Sequence, residues 1–117
     1  GLGYRLIRLP PGKSTFPLHF HHAGEELFVI LEGACTLVSP RGDQTVQKGD
    51  FLAFPPGPAG THKFTNDTDE PCVLLAVGDE RCPEVCEYPD SEKLNVILRK
   101  GSRLFRSGDE VDYFEGE

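Results

Sequence analysis

The sequence predicts an all-β fold of eight or so antiparallel strands, arranged as a sandwich or a small barrel. Three observations carry this reading. Gly (13) and Pro (10) recur at short intervals along the 117 residues. The apolar runs between them are short and rich in aromatic and β-branched residues, as strands require. No long helical period and no internal repeat interrupts this pattern, and the length suits one compact domain over residues 1–117.

The elements follow in order. Residues 4–9 alternate bulky apolar and basic side chains and read as a strand, ended by Pro10-Pro11-Gly12. Residues 15–21 form the next strand and residues 26–31 a third, after a turn at Ala23-Gly24. Gly33 permits reversal into residues 34–39, and Pro40-Arg41-Gly42-Asp43 is a turn by composition. Short strands are expected over residues 44–47 and 51–54. Three prolines and two glycines make residues 55–60 a loop. Strands over 62–65 and 72–77 flank the polar turn at residues 66–71. After Gly78 the pattern weakens: residues 95–99 can add one strand, and the remainder reads as an irregular C-terminal tail laid over the body.

Composition excludes several classes of function. A net charge of −7, with five carboxylates among the last nine residues, opposes nucleic acid or an anionic membrane as partner, and the acidic end reads as a solvated tail. No apolar run approaches the roughly 18 to 20 residues needed to span a bilayer, and no basic-then-apolar leader is present. A cytoplasmic location is the expectation. The absence of methionine suggests a processed or trimmed N-terminus. Cys35 and Cys72 fall inside strand-like runs and read as small core residues. Cys82 and Cys86 lack the spacing and the second cysteine pair of a zinc knuckle.

Chemistry concentrates at His19, His21, His22, Glu25 and Glu26, three imidazoles and two carboxylates within eight residues. Such donors are the usual ligands of a divalent metal of borderline hardness, and His62 is a further imidazole downstream. Side chains alternate along a strand, so His19 and His21 share a face with Thr15 and Pro17, while Leu18 and Phe20 oppose them. If Glu26 points inward, so do Phe28 and Ile30. Leu27, Val29 and Leu31 then face out, together with Phe16, Leu18 and Phe20. That outer face is as apolar as the inner one, so it should be covered by the C-terminal tail or, more simply, by the second subunit of a homodimer.

These residues resemble the two motifs of a cupin. Gly12, His19, His21, Glu26 and Gly33 match the first motif, one residue off in its first gap. Gly49, Pro55, Gly57, His62 and Asn66 match the second, with two extra residues between Gly57 and His62. Together the motifs span residues 12–66. Residues 77–81, 84–91 and 112–117 are similar to the tails of small bacterial cupins of the sugar-phosphate isomerase-like kind. The resemblance implies a cupin jelly-roll barrel, commonly dimeric, holding one divalent metal ion (Fe, Mn, Zn or Ni) through His19, His21, Glu26 and His62.

Four such ligands leave two octahedral positions open, for a substrate that chelates through adjacent oxygens or for dioxygen beside a substrate. The implied function is binding of, or action on, a small oxygen-rich molecule such as a sugar or hydroxy acid. Isomerase or epimerase chemistry competes with Fe(II)-dependent dioxygenase chemistry and with a non-catalytic sensor or storage role. His22 and Glu25 are alternative ligands by register slip, or outer partners of the ligands. No residue stands out as catalytic base. A phosphate would need an inward cation, and parity allows only one of Arg5 and Arg8 to point in, with Lys63 outward. The loop at 55–60 is expected at the mouth, as gate or connector, and Tyr88-Pro89-Asp90 as lid or end cap.

Overall fold

A computed structural model describes residues 1–117, and no part of it is α-helical. Its strands are β1 (Leu2–Leu9), β2 (Phe20–His21), β3 (Glu26–Glu32), β4 (Ala34–Ser39), β5 (Gly42–Gln47), β6 (Phe51–Phe54), β7 (Lys63–Thr65), β8 (Cys72–Asp79), β9 (Glu84–Tyr88), β10 (Lys93–Leu98) and β11 (Gly101–Arg106). All pairings are antiparallel. One wall has the order β1-β8-β3-β6. The opposite wall comprises β5-β4-β7 and β11-β10-β9-β2. Bridges Ser14↔Thr65 and His19↔His62 lay the segment before β2 alongside β7 and join these two sheets into one bent surface. The result is the jelly-roll layout.

Alternation fills the interior. Phe28 and Ile30 of β3, Leu74 of β8, Phe64 of β7, Val46 of β5 and the neighbouring Cys35 and Cys72 are all buried in one apolar cluster. Both cysteines are free thiols, in the core role expected of them. Gly33 makes the β3–β4 reversal possible: at φ +76°, a Cβ there would lie 2.4 Å from the Pro71 carbonyl oxygen. Asn66, fully buried, organises the turn before β8 by donating to the Leu9 and Glu70 carbonyls and accepting from the Thr68 backbone and hydroxyl.

Three differences from the sequence expectation position the site. The strand over 15–21 is interrupted, because Pro17 lacks an N–H and the backbone around it leaves the ladder. Regular pairing survives only at its two ends, and Phe16 turns inward against Phe28, His19 and His62 rather than outward. Second, the region after Gly78 forms three strands, and only residues 107–117 stay irregular. Their pattern is weak because β10 is half-buried and β11 is an exposed edge, so little alternation is imposed on either. Third, this C-terminal unit pairs with β2 and does not cover the outer face of the first wall. There Tyr4, Leu6 and Phe51 are exposed by 82%, 66% and 64%. The loop at 55–60 contains a single 3₁₀ turn, Pro58–Gly60.

Candidate metal centre

His19 arrives from the residue before β2, His21 from the last residue of β2, Glu26 from the first residue of β3, and His62 from the residue before β7. The backbone pairing of His19 with His62 locks the first and last of these sources together. All three imidazoles aim Nε2 at one atom, Glu26 Oε1: His21 at 2.9 Å, His62 at 3.2 Å and His19 at 3.8 Å. His19, His21 and Glu26 also place their donor atoms within 4.8 Å of one another.

The far side of each ring explains why Nε2 is the free nitrogen. His19 Nδ1 lies 3.0 Å from the Pro17 carbonyl and His62 Nδ1 lies 2.7 Å from the Gly60 carbonyl. A carbonyl only accepts, so each Nδ1 carries the proton and each Nε2 presents a lone pair. The Pro55–Gly60 loop thus serves the site by fixing the tautomer of His62. His21 is backed differently, with Cys86 Sγ 3.2 Å and Glu84 Oε2 3.7 Å from its Nδ1. Glu84 is itself buried and accepts from the backbone N–H groups of Ala23, Gly24 and Val85. Neither Glu84 nor Cys86 is marked in the sequence, because both reach His21 across a strand pair from some 60 residues away.

Electrostatics distinguish His19 from His21. Burial first, then the neighbouring His62, pushes His19 down to about 4, so it is neutral at pH 7. His21 is raised to about 10 by its hydrogen bonds to Cys86 and Glu26. Burial opposes ionisation of Glu26, but hydrogen bonding with His21 and His62 outweighs it and holds the carboxyl well below the usual carboxylate range. His21 Nε2, His62 Nε2 and Glu26 Oε1 are nevertheless buried without a hydrogen-bond partner of acceptable geometry. Unsatisfied buried polar atoms are rare in folded proteins, and three converging on one point fit a cation that all of them can bind.

The alternative ligands lie elsewhere. His22 points away and pairs with Glu87 near solvent, and Glu25 is exposed. Tyr88 ends β9 stacked on His19 (centroids 5.8 Å apart, planes 23°), which makes it a cap on the site from behind. Beside the centre lies a cavity of about 590 Å³, reaching His21 and Glu26 and lined also by β1, β8 and the β8–β9 and β10–β11 connections.

Residues 5–78 match the cupin domain family. The chain is a cupin. A solved cupin-superfamily sugar phosphate isomerase from Silicibacter pomeroyi is 32% identical, with a TM-score of 0.88 over 96% of this chain and 72% of that one. A proposed sugar phosphate isomerase from Acidithiobacillus ferrooxidans is 31% identical, also with a TM-score of 0.88, over 95% and 70% of the two chains. This cupin is also 32% identical over 81 residues to an uncharacterised protein of Methanocaldococcus jannaschii, covering 69% of this chain and 55% of that protein. It therefore spans about half the length of that curated relative. No helix in this cupin is long and apolar enough to cross a membrane.

Proposed function

We propose that this cupin binds one divalent metal ion through His19, His21, Glu26 and His62 and acts on a small oxygen-rich molecule, a sugar or hydroxy acid, by isomerase-type chemistry. The observation that carries the reading is the convergence of His21 Nε2 and His62 Nε2, both buried, on Glu26 Oε1 at 2.9 and 3.2 Å without a hydrogen bond of acceptable geometry. The names of the two solved relatives support the reaction type. When bound, the ion supplies Lewis-acid polarisation of a ligand oxygen and acidifies its neighbouring C–H or O–H. The chain's own part is to hold three imidazoles and one carboxylate, to back His21 with Glu84 and Cys86, and to keep the centre dry with Phe16, Phe28 and Phe54.

Elemental analysis of the purified protein and of His62→Ala tests this. Stoichiometric metal is expected in the parent and a clear deficit in the variant. Equal metal content in both, or none in either, refutes the ligand set. Turnover without oxygen supports isomerase-type chemistry, whereas a strict need for Fe(II) and O₂ moves the assignment to a dioxygenase.

The same reading extends to a homodimer. The outer side of β1-β8-β3-β6 carries Tyr4, Leu6, Leu75, Val77 and Phe51 on one face, and an apolar sheet face of this breadth suits a second copy. Light scattering on the purified chain is expected to give twice the 12.9 kDa chain mass. A monomer at micromolar concentration would refute it.

A further inference from the structure

Strand register builds a second feature into the cavity beside the metal centre. Gly3 of β1, Gly78 of β8 and Glu26 of β3 lie directly opposite one another, and so do Arg5, Ala76 and Phe28 one pair further along. Residues opposed across antiparallel strands share a face, so Arg5 stands on the same inner face as the ligand Glu26. The positions between them are Gly78 and Ala76, too small to block the way. From strand spacings the Arg5 and Glu26 Cα atoms are about 12 Å apart, a span that a ligand of several carbons bridges. Arg99, after β10, approaches the same cavity from the other wall.

The charges around the cavity are not equivalent. Arg81 is committed to Asp79 through a 2.6 Å ion pair. Glu84 is consumed by its three backbone donors. Arg5 and Arg99 have no ion-pair partner, although both carry permanent charge. Of the remaining carboxylates, Glu25 is exposed and Glu80 lies over Gly3 on the inner face of β1, where both accept from hydroxyl groups but repel a second anion.

We propose that Arg5 and Arg99 form an anion subsite, which takes the single oxyanion of a hydroxylated ligand, phosphate or carboxylate, while the ligand's other end reaches the metal centre. The inference rests on the metal reading above for what happens at that far end. Two guanidinium groups from opposite walls match an oxyanion by paired, charge-assisted hydrogen bonds.

The test measures binding of inorganic phosphate and of acetate by calorimetry at low salt. It uses the protein as purified and again after chelation, so that coordination of the anion by metal is separated from binding by arginine. Arg5→Gln and Arg99→Gln are each expected to weaken the chelated protein's anion binding about tenfold, the value of one charge-assisted contact, and the double variant to abolish it. Whichever anion binds tighter identifies the ligand's end group. Arg8→Gln, which removes the same charge from the opposite face of β1, should change nothing. The subsite is refuted if neither anion binds, if Arg5→Gln and Arg99→Gln bind as the parent does, or if Arg8→Gln weakens binding as much. Metal content in the same samples keeps the two ideas apart. Arginine-dependent anion binding in a protein that never holds metal supports the subsite and sinks the metal reading alone.

Discussion

Glu84→Gln tests the support of the proposed metal centre without touching a proposed ligand. Glu84 Oε1 accepts from the Ala23 and Val85 N–H groups at 2.9 and 2.8 Å, and Oε2 accepts from Gly24 N–H at 2.7 Å. Glutamine keeps one acceptor oxygen. Its amide nitrogen then faces either the Gly24 N–H or the other two donors, so at least one buried donor loses its partner. The surviving bonds also lose the assistance of the charge. Stranding one buried donor costs roughly 1–3 kcal/mol, and the weakened bonds add to this, so about 3 kcal/mol is expected. For a chain of this size that lowers the melting temperature by roughly 10 °C. The Ala23-Gly24 turn that separates His21 from Glu26 would loosen too, and a lost outer partner of a ligand lowers metal affinity about 10- to 100-fold. Thermal scans with and without added metal measure both effects. A drop below about 2 °C with unchanged metal affinity would show that Glu84 neither anchors the turn nor orients His21.

Two further outcomes follow from the site's electrostatics and from the thiols. In chelated protein, His19 at about 4 binds fewer protons than its unfolded counterpart, so stability falls as pH drops from 6.5 towards 4. His21 at about 10 binds more, so its contribution is complete below 6.5 and is lost as pH rises towards 10. Chelated protein should therefore melt highest near pH 6.5, and a melting temperature that rises steadily from pH 5 to 9 would contradict this. Burial raises the Cys35 and Cys72 thiols above their ordinary value, whereas Cys82 is exposed. A disulfide reagent at pH 8 should meet one fast thiol, abolished in Cys82→Ser, with Cys35 and Cys72 silent until denaturant is added. Fast reaction of two or more thiols in the folded protein would overturn the core placement.

Strands of both walls up to residue 77 were legible because short apolar runs alternate there with glycine- and proline-marked turns. Residues 34–39 and 51–54 match β4 and β6 at both ends, and the expected inward set of Glu26, Phe28 and Ile30 is the observed one. The reading of 15–21 failed at Pro17. Strict alternation holds only while the backbone stays in the ladder, and the departure there swings Phe16 into the interior. The C-terminal strands were largely illegible, since an exposed edge such as β11 imposes no apolar period on its residues.

The linear sequence by itself determined the donor types and their spacing: His19, His21 and Glu26 within one short segment, His62 within a second, and the glycines that let the chain turn beside both. Those are local properties, set by chain geometry over a few residues. Only the tertiary structure decided that Glu84 and Cys86 stand behind His21, that the Gly60 carbonyl fixes the tautomer of His62, and that Arg5 and Arg99 share a cavity from opposite walls. The first and last of these join residues far apart in the chain, and the pairing of strands distant in sequence brings them within reach.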